Sequence, residues 1–200
     1  MARKADPERI ARQRETIIAA AALLFGTRGF ERTTVAEVAR AAGLSSGSVF
    51  YYFADKNALF RAIFEHDLPV AEALVARHAD AADPVAAVLD VVAELGKDAA
   101  VPEASGLLVE VLRRIDQDPE LLAVIERTES IIRSGLARLI QRGIDAGAVD
   151  PALDPGETAA WLQAVVDAAY LNARPGRSSV PELRRTASTY LAPGRADAHR

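Results

Sequence analysis

Three serines, two tyrosines and a lysine fall within twelve residues of this chain, as Ser45, Ser46, Ser48, Tyr51, Tyr52 and Lys56. Their chemistry is hydrogen bonding and ion pairing at close range. Short hydroxyl side chains at a helix N-terminus suit the approach of bases and phosphates, because backbone N–H groups and the helix dipole also favour anions there. Gly47 sits among them and adds no bulk. The tyrosines just beyond are long enough to reach a sugar-phosphate backbone. Lys56 falls in the first turn of a helix, where a cation opposes the dipole. A phosphate contact accounts for its place.

The elements that must hold these residues read as a helix-turn-helix over Thr34 to Phe53. From Val35 to Ala42 the apolar residues fall at 35, 38, 39 and 42, one face of a helix, with Glu37 and Arg40 on the wet side. Thr33 or Thr34 can cap its start. Gly43 ends it, since glycine enters the left-handed conformation at little cost, and Leu44 packs back. Ser45 or Ser46 caps a second helix, from Gly47 to about Tyr52, with Val49, Phe50 and Phe53 as its buried face. Asp55 caps the next. Upstream, Gly29-Phe30 closes a first helix, and Phe30 is expected to plug a small core with Phe25, Val38, Val49 and Phe53.

The run TTVAEVARAAGLSSGSVFYYFADKNALF resembles the DNA-binding segment of TetR-type transcriptional regulators. The turn, the aromatic run ending in Phe53 and the continuation Lys56-x-x-Leu59-Phe60 match in order and spacing. With Gly29-Phe30 the resemblance spans roughly residues 10 to 65. Phe50 departs from it, standing where the family usually has Tyr, so a hydroxyl contact to phosphate is missing there. The resemblance implies an all-α chain of about nine helices, with an N-terminal three-helix DNA-binding domain over 1–68 and a C-terminal ligand-binding and dimerisation domain over 69–200. It also implies a dimer on palindromic operator DNA. Ser45, Ser46, Gly47 and Ser48 would then lie nearest the bases, and Thr34, Tyr51, Tyr52 and Lys56 would mainly hold phosphates.

Composition agrees with a helical chain large enough to bury a sizeable core. Half of the 200 residues are hydrophobic, and alanine-rich stretches favour helix. The absence of cysteine excludes disulfides, thiolate zinc sites and cysteine nucleophiles. No apolar run approaches the length of a membrane span, and MARKADPER has no signal-peptide core, so a cytoplasmic location is expected. The net charge of −4 hides an asymmetry: residues 1–60 carry nine basic and six acidic side chains, a net of +3, leaving −7 for the remainder. A basic head on an acidic body suits nucleic-acid binding by the head.

Helix starts are marked by Asp-Pro at 6–7, 83–84, 118–119 and 154–155, aspartate as N-cap and proline at the first helical position. Asp150-Pro151 sits instead in a turn. Helix 1 should run from Pro7 to about Thr27, burying Ile10, Ile17, Ile18, Ala21, Leu24 and Phe25. Arg9, Arg12 and Arg14 near its start, and the arm with Arg3 and Lys4, are candidate phosphate or minor-groove contacts. A helix beginning at Lys56 should kink or restart at Pro69. Five more are expected at about 84–97, 103–116, 119–146, 156–173 and 181–192, and the tail GRADAHR should be disordered.

Beyond the reading head, Glu110, Arg113, Arg114, Trp161, Gln163, Asp167, Tyr170 and Asn172 are candidates for a small-molecule pocket of the kind the resemblance implies. By the same resemblance Trp161, Leu162, Val165, Val166, Ala169, Leu183 and Tyr190 would build a dimer interface. No cofactor or metal is implied. His66 and His78 lack metal-ligand spacing, and no hydrolase, P-loop or dinucleotide fingerprint occurs, so an enzyme is not expected. The competing reading is a dimeric scaffold of the same fold that no longer reads DNA.

Overall fold

In the computed structural model, residues 7–174 and 176–194 are described. Arg3, Lys4, the Asp6 cap, His199 and the expected disorder of the tail lie outside them, apart from Gly194. Ten α-helices and one 3-10 helix account for most of the described chain, with no strand beyond an isolated bridge between Arg174 and Arg177. The helices are α1 (Pro7–Arg28), α2 (Val35–Ala41), α3 (Ser46–Tyr52), α4 (Lys56–Glu65), α5 (Asp67–His78), α6 (Pro84–Gly96), α7 (Ala104–Arg114), α8 (Pro119–Asp145), α9 (Pro155–Leu171) and α10 (Val180–Leu191); the 3-10 turn is Lys97–Ala100.

Pro69 is the third residue of α5. The first N–H groups of a helix have no intrahelical partner, so a proline there costs no hydrogen bond. The chain therefore restarts after α4, and that restart supplies the tenth α-helix. The Asp-Pro marks behave as the chemistry demands. The carboxylates of Asp83, Asp118 and Asp154 accept the N–H groups of Ala86, Leu121 and Glu157 at 2.8–3.0 Å. Asp150 instead takes the N–H of Ala152 in a turn.

Contacts divide the chain into two compact units, one comprising residues 1–67 and 102–124, the other 68–101 and 125–200. In the first, Ile17, Ile18, Ala21, Leu24 and Phe25 of α1 are buried, while Ile10 is half-buried. Phe30 joins Phe25 and Phe60 in a triangle of rings with centroids 5.2–5.5 Å apart. Val38, Val49 and Phe53 are buried in the same unit. Helix α7 belongs here although it begins 39 residues after the end of α4 (104 − 65) in sequence. It can approach α1 because Gly106 and Gly26 face each other: a Cβ on Gly106 would stand 1.8 Å from the Gly26 carbonyl oxygen. Asp118 adds a second tie, its carboxylate taking Arg61 of α4 at 3.1 Å while capping α8.

The second unit has its own core. Leu74 of α5, Val88, Val91 and Val92 of α6, Leu136 and Ile140 of α8, Leu162 and Val166 of α9, and Leu183 and Leu191 of α10 close it. No helix among the described residues is long and apolar enough to cross a membrane.

Candidate nucleic-acid interface

The turn between α2 and α3 is built by local hydrogen bonds. Thr34, not Thr33, is the N-cap of α2: its hydroxyl accepts the Glu37 N–H at 3.2 Å, and the Glu37 carboxylate takes the Thr34 N–H at 2.8 Å. This reciprocal capping box holds the Glu37 carboxyl below its ordinary pKa, chiefly through the Thr34 N–H, then through the Thr34 hydroxyl. Thr33 is buried and donates its hydroxyl to the Gly29 carbonyl at 2.9 Å. At the far end Gly43 has φ +69°, its N–H meets the Arg40 carbonyl, and the Leu44 N–H reaches back to Ala39 at 2.8 Å. That pair of bonds is a Schellman closure, which turns the chain sharply into α3.

Ser45 caps α3, accepting the Ser48 N–H at 3.1 Å, and the two hydroxyls lie 2.9 Å apart. Val49 and Phe53 anchor the inner side. Gly47, Phe50 and Tyr51 face outward at positions i, i+3 and i+4, with Tyr51 74% exposed. The outward position of Phe50, 51% exposed, corrects the expectation that it would be buried beside Val49. Adjacent helical residues are about 100° apart around the axis, so Val49 can point inward while its neighbour does not.

The remaining expected contacts divide. Ser45, Ser46, Gly47, Ser48 and Thr34 lie together at the two helix starts flanking the turn, exposed or half-exposed. Tyr52 is different: its hydroxyl donates to the Gln13 side-chain oxygen at 2.6 Å, tying α3 to α1. Lys56 also turns inward, donating to the carbonyls of Phe30 at 2.9 Å and Thr33 at 3.2 Å. An ammonium in the first turn of a helix opposes the dipole, and here two carbonyl oxygens of the α1–α2 loop offset that cost. Of the arginines near the start of α1, Arg14 stacks on the Phe53 ring at 5.1 Å and pairs with Glu65, and Arg12 pairs with Glu8.

In helix-turn-helix proteins the N-terminal residues of the second helix are the ones that meet base edges of duplex DNA. Residues 17–63 match the model for bacterial regulatory proteins of the tetR family. That segment is therefore a DNA-binding segment of the tetR type. It is 29% identical over 154 residues to an uncharacterized HTH-type transcriptional regulator of Bacillus subtilis, YfiR, spanning 76% of this chain and 75% of that one. Among solved structures, a TetR transcription regulator from Haloarcula marismortui is similar with TM-score 0.75 at 23% identity, over 90% of this chain and 97% of that one. AibR, solved with isovaleryl coenzyme A and operator DNA, is similar with TM-score 0.73 at 20% identity, over 90% and 98%. At these identities the structural likeness is one of fold.

The candidate effector residues are divided between the two units. Glu110, Arg113 and Arg114 belong to the first unit, where they line an open cleft of about 210 Å3 with Arg28, Arg32 and Gln117. Arg114 is fixed there, its guanidinium 3.5 Å above the Phe30 ring and donating to Asn57 at 2.7 Å. Trp161, Gln163, Asp167, Tyr170 and Asn172 belong to the second unit. The Tyr170 hydroxyl donates to the Leu95 carbonyl at 2.8 Å, and Asn172 to that of Ala168. Loss of surrounding water, then the Glu129 charge, holds the Asp167 carboxyl above its ordinary pKa.

The candidate dimer residues divide by helical face. Leu162, Val166 and Leu183 are buried within the chain, in the core of the second unit. Val165 and Ala169 are half-buried against that core. Trp161 and Tyr190 are exposed, and Leu171, which sequence reasoning passed over, is exposed on the same helix as Trp161.

Proposed function

We propose that this chain is a ligand-responsive transcriptional repressor that binds a palindromic operator as a homodimer in the cytoplasm. The observation that carries the reading is the capped α2–α3 turn, which leaves Thr34, Ser46, Gly47, Ser48 and Tyr51 outward while Phe53 and Val49 hold the tip from behind. Ser45, Ser46, Gly47 and Ser48 lie nearest base edges in this proposal, and Thr34 and Tyr51 hold phosphates. Tyr52 and Lys56 act one step back, fixing α3 and the α1–α2 loop. Hydroxyls discriminate bases less sharply than Arg or Asn pairs, so duplex shape shares the specificity. The neighbour AibR, solved with a coenzyme A thioester and operator DNA, supports a small-molecule effector in addition to DNA. Effector binding would shift the operator affinity by about 1–3 kcal/mol, the usual range of coupling between sites.

The test is a gel shift and footprint on the DNA upstream of the protein's own gene. A saturable shift with a two-fold symmetric footprint, beyond that on scrambled DNA of equal length, is expected. Equal affinity for both duplexes would leave the dimeric scaffold as the better reading.

A further inference from the structure

The outer face of α3 carries one group whose chemistry the proposed phosphate and hydroxyl contacts do not use. Phe50 is half in solvent, and it has no polar atom. It stands one turn after Gly47, and helical side chains lean back over the preceding turn. Nothing but backbone lies beneath that lean at Gly47: a Cβ there would meet only the Ser45 hydroxyl, at 3.9 Å. Tyr51 flanks the ring on the same face, and its own ring packs edge-on to Tyr52 at 5.1 Å. Phe50 is thus a flat apolar surface, clear on its leading side, at the middle of the helix proposed to enter the major groove.

Covering an exposed phenyl ring with another apolar group removes both surfaces from water and is favourable. The major-groove edge of duplex DNA presents hydrogen-bonding atoms at every base pair and one apolar group, the 5-methyl of thymine. We propose that Phe50 reads a thymine methyl in each operator half-site, making the position opposite it an A·T pair of fixed orientation. The inference rests on the DNA-reading proposal above and adds the base that is read. The hydroxyl residues of the tip cannot supply this selection, because they bond to several bases alike.

The experiment uses the full chain and a selected operator. Each thymine of a half-site is replaced in turn by deoxyuridine, which deletes only the methyl group. At one thymine the substitution should weaken binding about four-fold, as expected for withdrawing one methyl from an apolar contact, and roughly fifteen-fold when made in both half-sites. Phe50→Ala should bind the thymine and uracil operators equally. Phe50→Leu, which keeps an apolar surface, should retain the preference. Phe50→Ala is expected to fold, since half the ring is already exposed, and its helix content and melting point report this directly. An operator bound tightly but indifferent to every thymine-to-uracil change overturns this inference alone. So does a preference that Phe50→Ala leaves unchanged. Absence of any sequence-selective binding by the unaltered protein removes the DNA-reading proposal and this one together.

Discussion

The Lys56 ammonium donates to the Phe30 carbonyl at 2.9 Å while standing 4.1 Å above that residue's ring. One side chain thereby holds both the backbone and the aromatic face of the residue that plugs the first unit. The Thr33 carbonyl, at 3.2 Å, takes a second N–H from the same group. Lys56→Ala should therefore act on stability. Removing a cation hydrogen-bonded to two carbonyls should cost roughly 1–3 kcal/mol, read as a lower denaturation midpoint with an unchanged m-value. On operator DNA, the log–log salt slope should change by less than the value of about 0.9 that one lost phosphate contact gives. A normal midpoint with a slope reduced by that amount would return Lys56 to the DNA surface.

Tyr51 and Tyr52 are neighbours with opposite roles. The Tyr52 hydroxyl is tied to Gln13, whereas Tyr51 projects into solvent. Tyr52→Phe should lower stability by about 0.5–1.5 kcal/mol, the worth of one hydrogen bond, and weaken all DNA binding only through that loss. Tyr51→Phe should leave the thermal midpoint in place and reduce affinity for operator and random duplex alike. Melting curves paired with fluorescence anisotropy separate the two; a shared stability loss would contradict the assignment.

Local chemistry carried most of what the sequence revealed. Gly43, Thr34, Ser45 and Asp55 cap or close helices by bonds spanning three to five residues, so spacing located Gly43 and Asp55 and brought each of the other two caps to within one residue. Asp83, Asp118 and Asp154 were readable for the same reason. What the sequence left unread depends on contacts distant in sequence. That Lys56 meets Phe30, or Asp118 meets Arg61, requires the fold itself. Nothing in the periodicity of α7 said that Gly106 would lie against Gly26, which brings Glu110, Arg113 and Arg114 into the same unit as α1, whereas Trp161 and Tyr170 belong to the other. Hydrophobicity likewise could not divide α9 into its inner face, with Leu162 and Val166, and its outer one, with Trp161 and Leu171.

Gly47 and Gly106 make opposite predictions. At Gly106 a methyl group would stand 1.8 Å from the Gly26 carbonyl oxygen, so Gly106→Ala forces α7 away from α1. A loss of roughly 1–3 kcal/mol, typical of overpacking, is expected in chemical denaturation. At Gly47 the nearest atom would be 3.9 Å away, and alanine is the better helix former by about 0.8–1.0 kcal/mol. Gly47→Ala should therefore raise the melting point. It should also weaken operator binding, since the added methyl occupies the face proposed to meet base edges. Higher stability with undiminished affinity would show that Gly47 does not approach the DNA.

Trp161 is 54% exposed on α9, and Leu171, ten residues along and about 80° around the axis, is 50% exposed, with Ala164, Asp167 and Ala168 exposed between them. Large apolar side chains aligned on one helix face are costly to leave in water, and pairing with a second copy of α9 would remove them from it. Aromatic residues at the centre of such interfaces commonly contribute 2 kcal/mol or more on truncation, roughly a thirty-fold change in dissociation constant. Trp161→Glu should accordingly convert a species of twice the 21.3 kDa chain mass into one of that mass, measured by light scattering across a dilution series. The substitution places a charge where the side chain is already half in water, so the monomer should keep its helix content. Operator affinity should fall with the loss of the paired half-site contacts, while isolated half-site DNA should be bound as before. A dimer that survives Trp161→Glu at micromolar concentration would place the pairing surface elsewhere than on this face of α9.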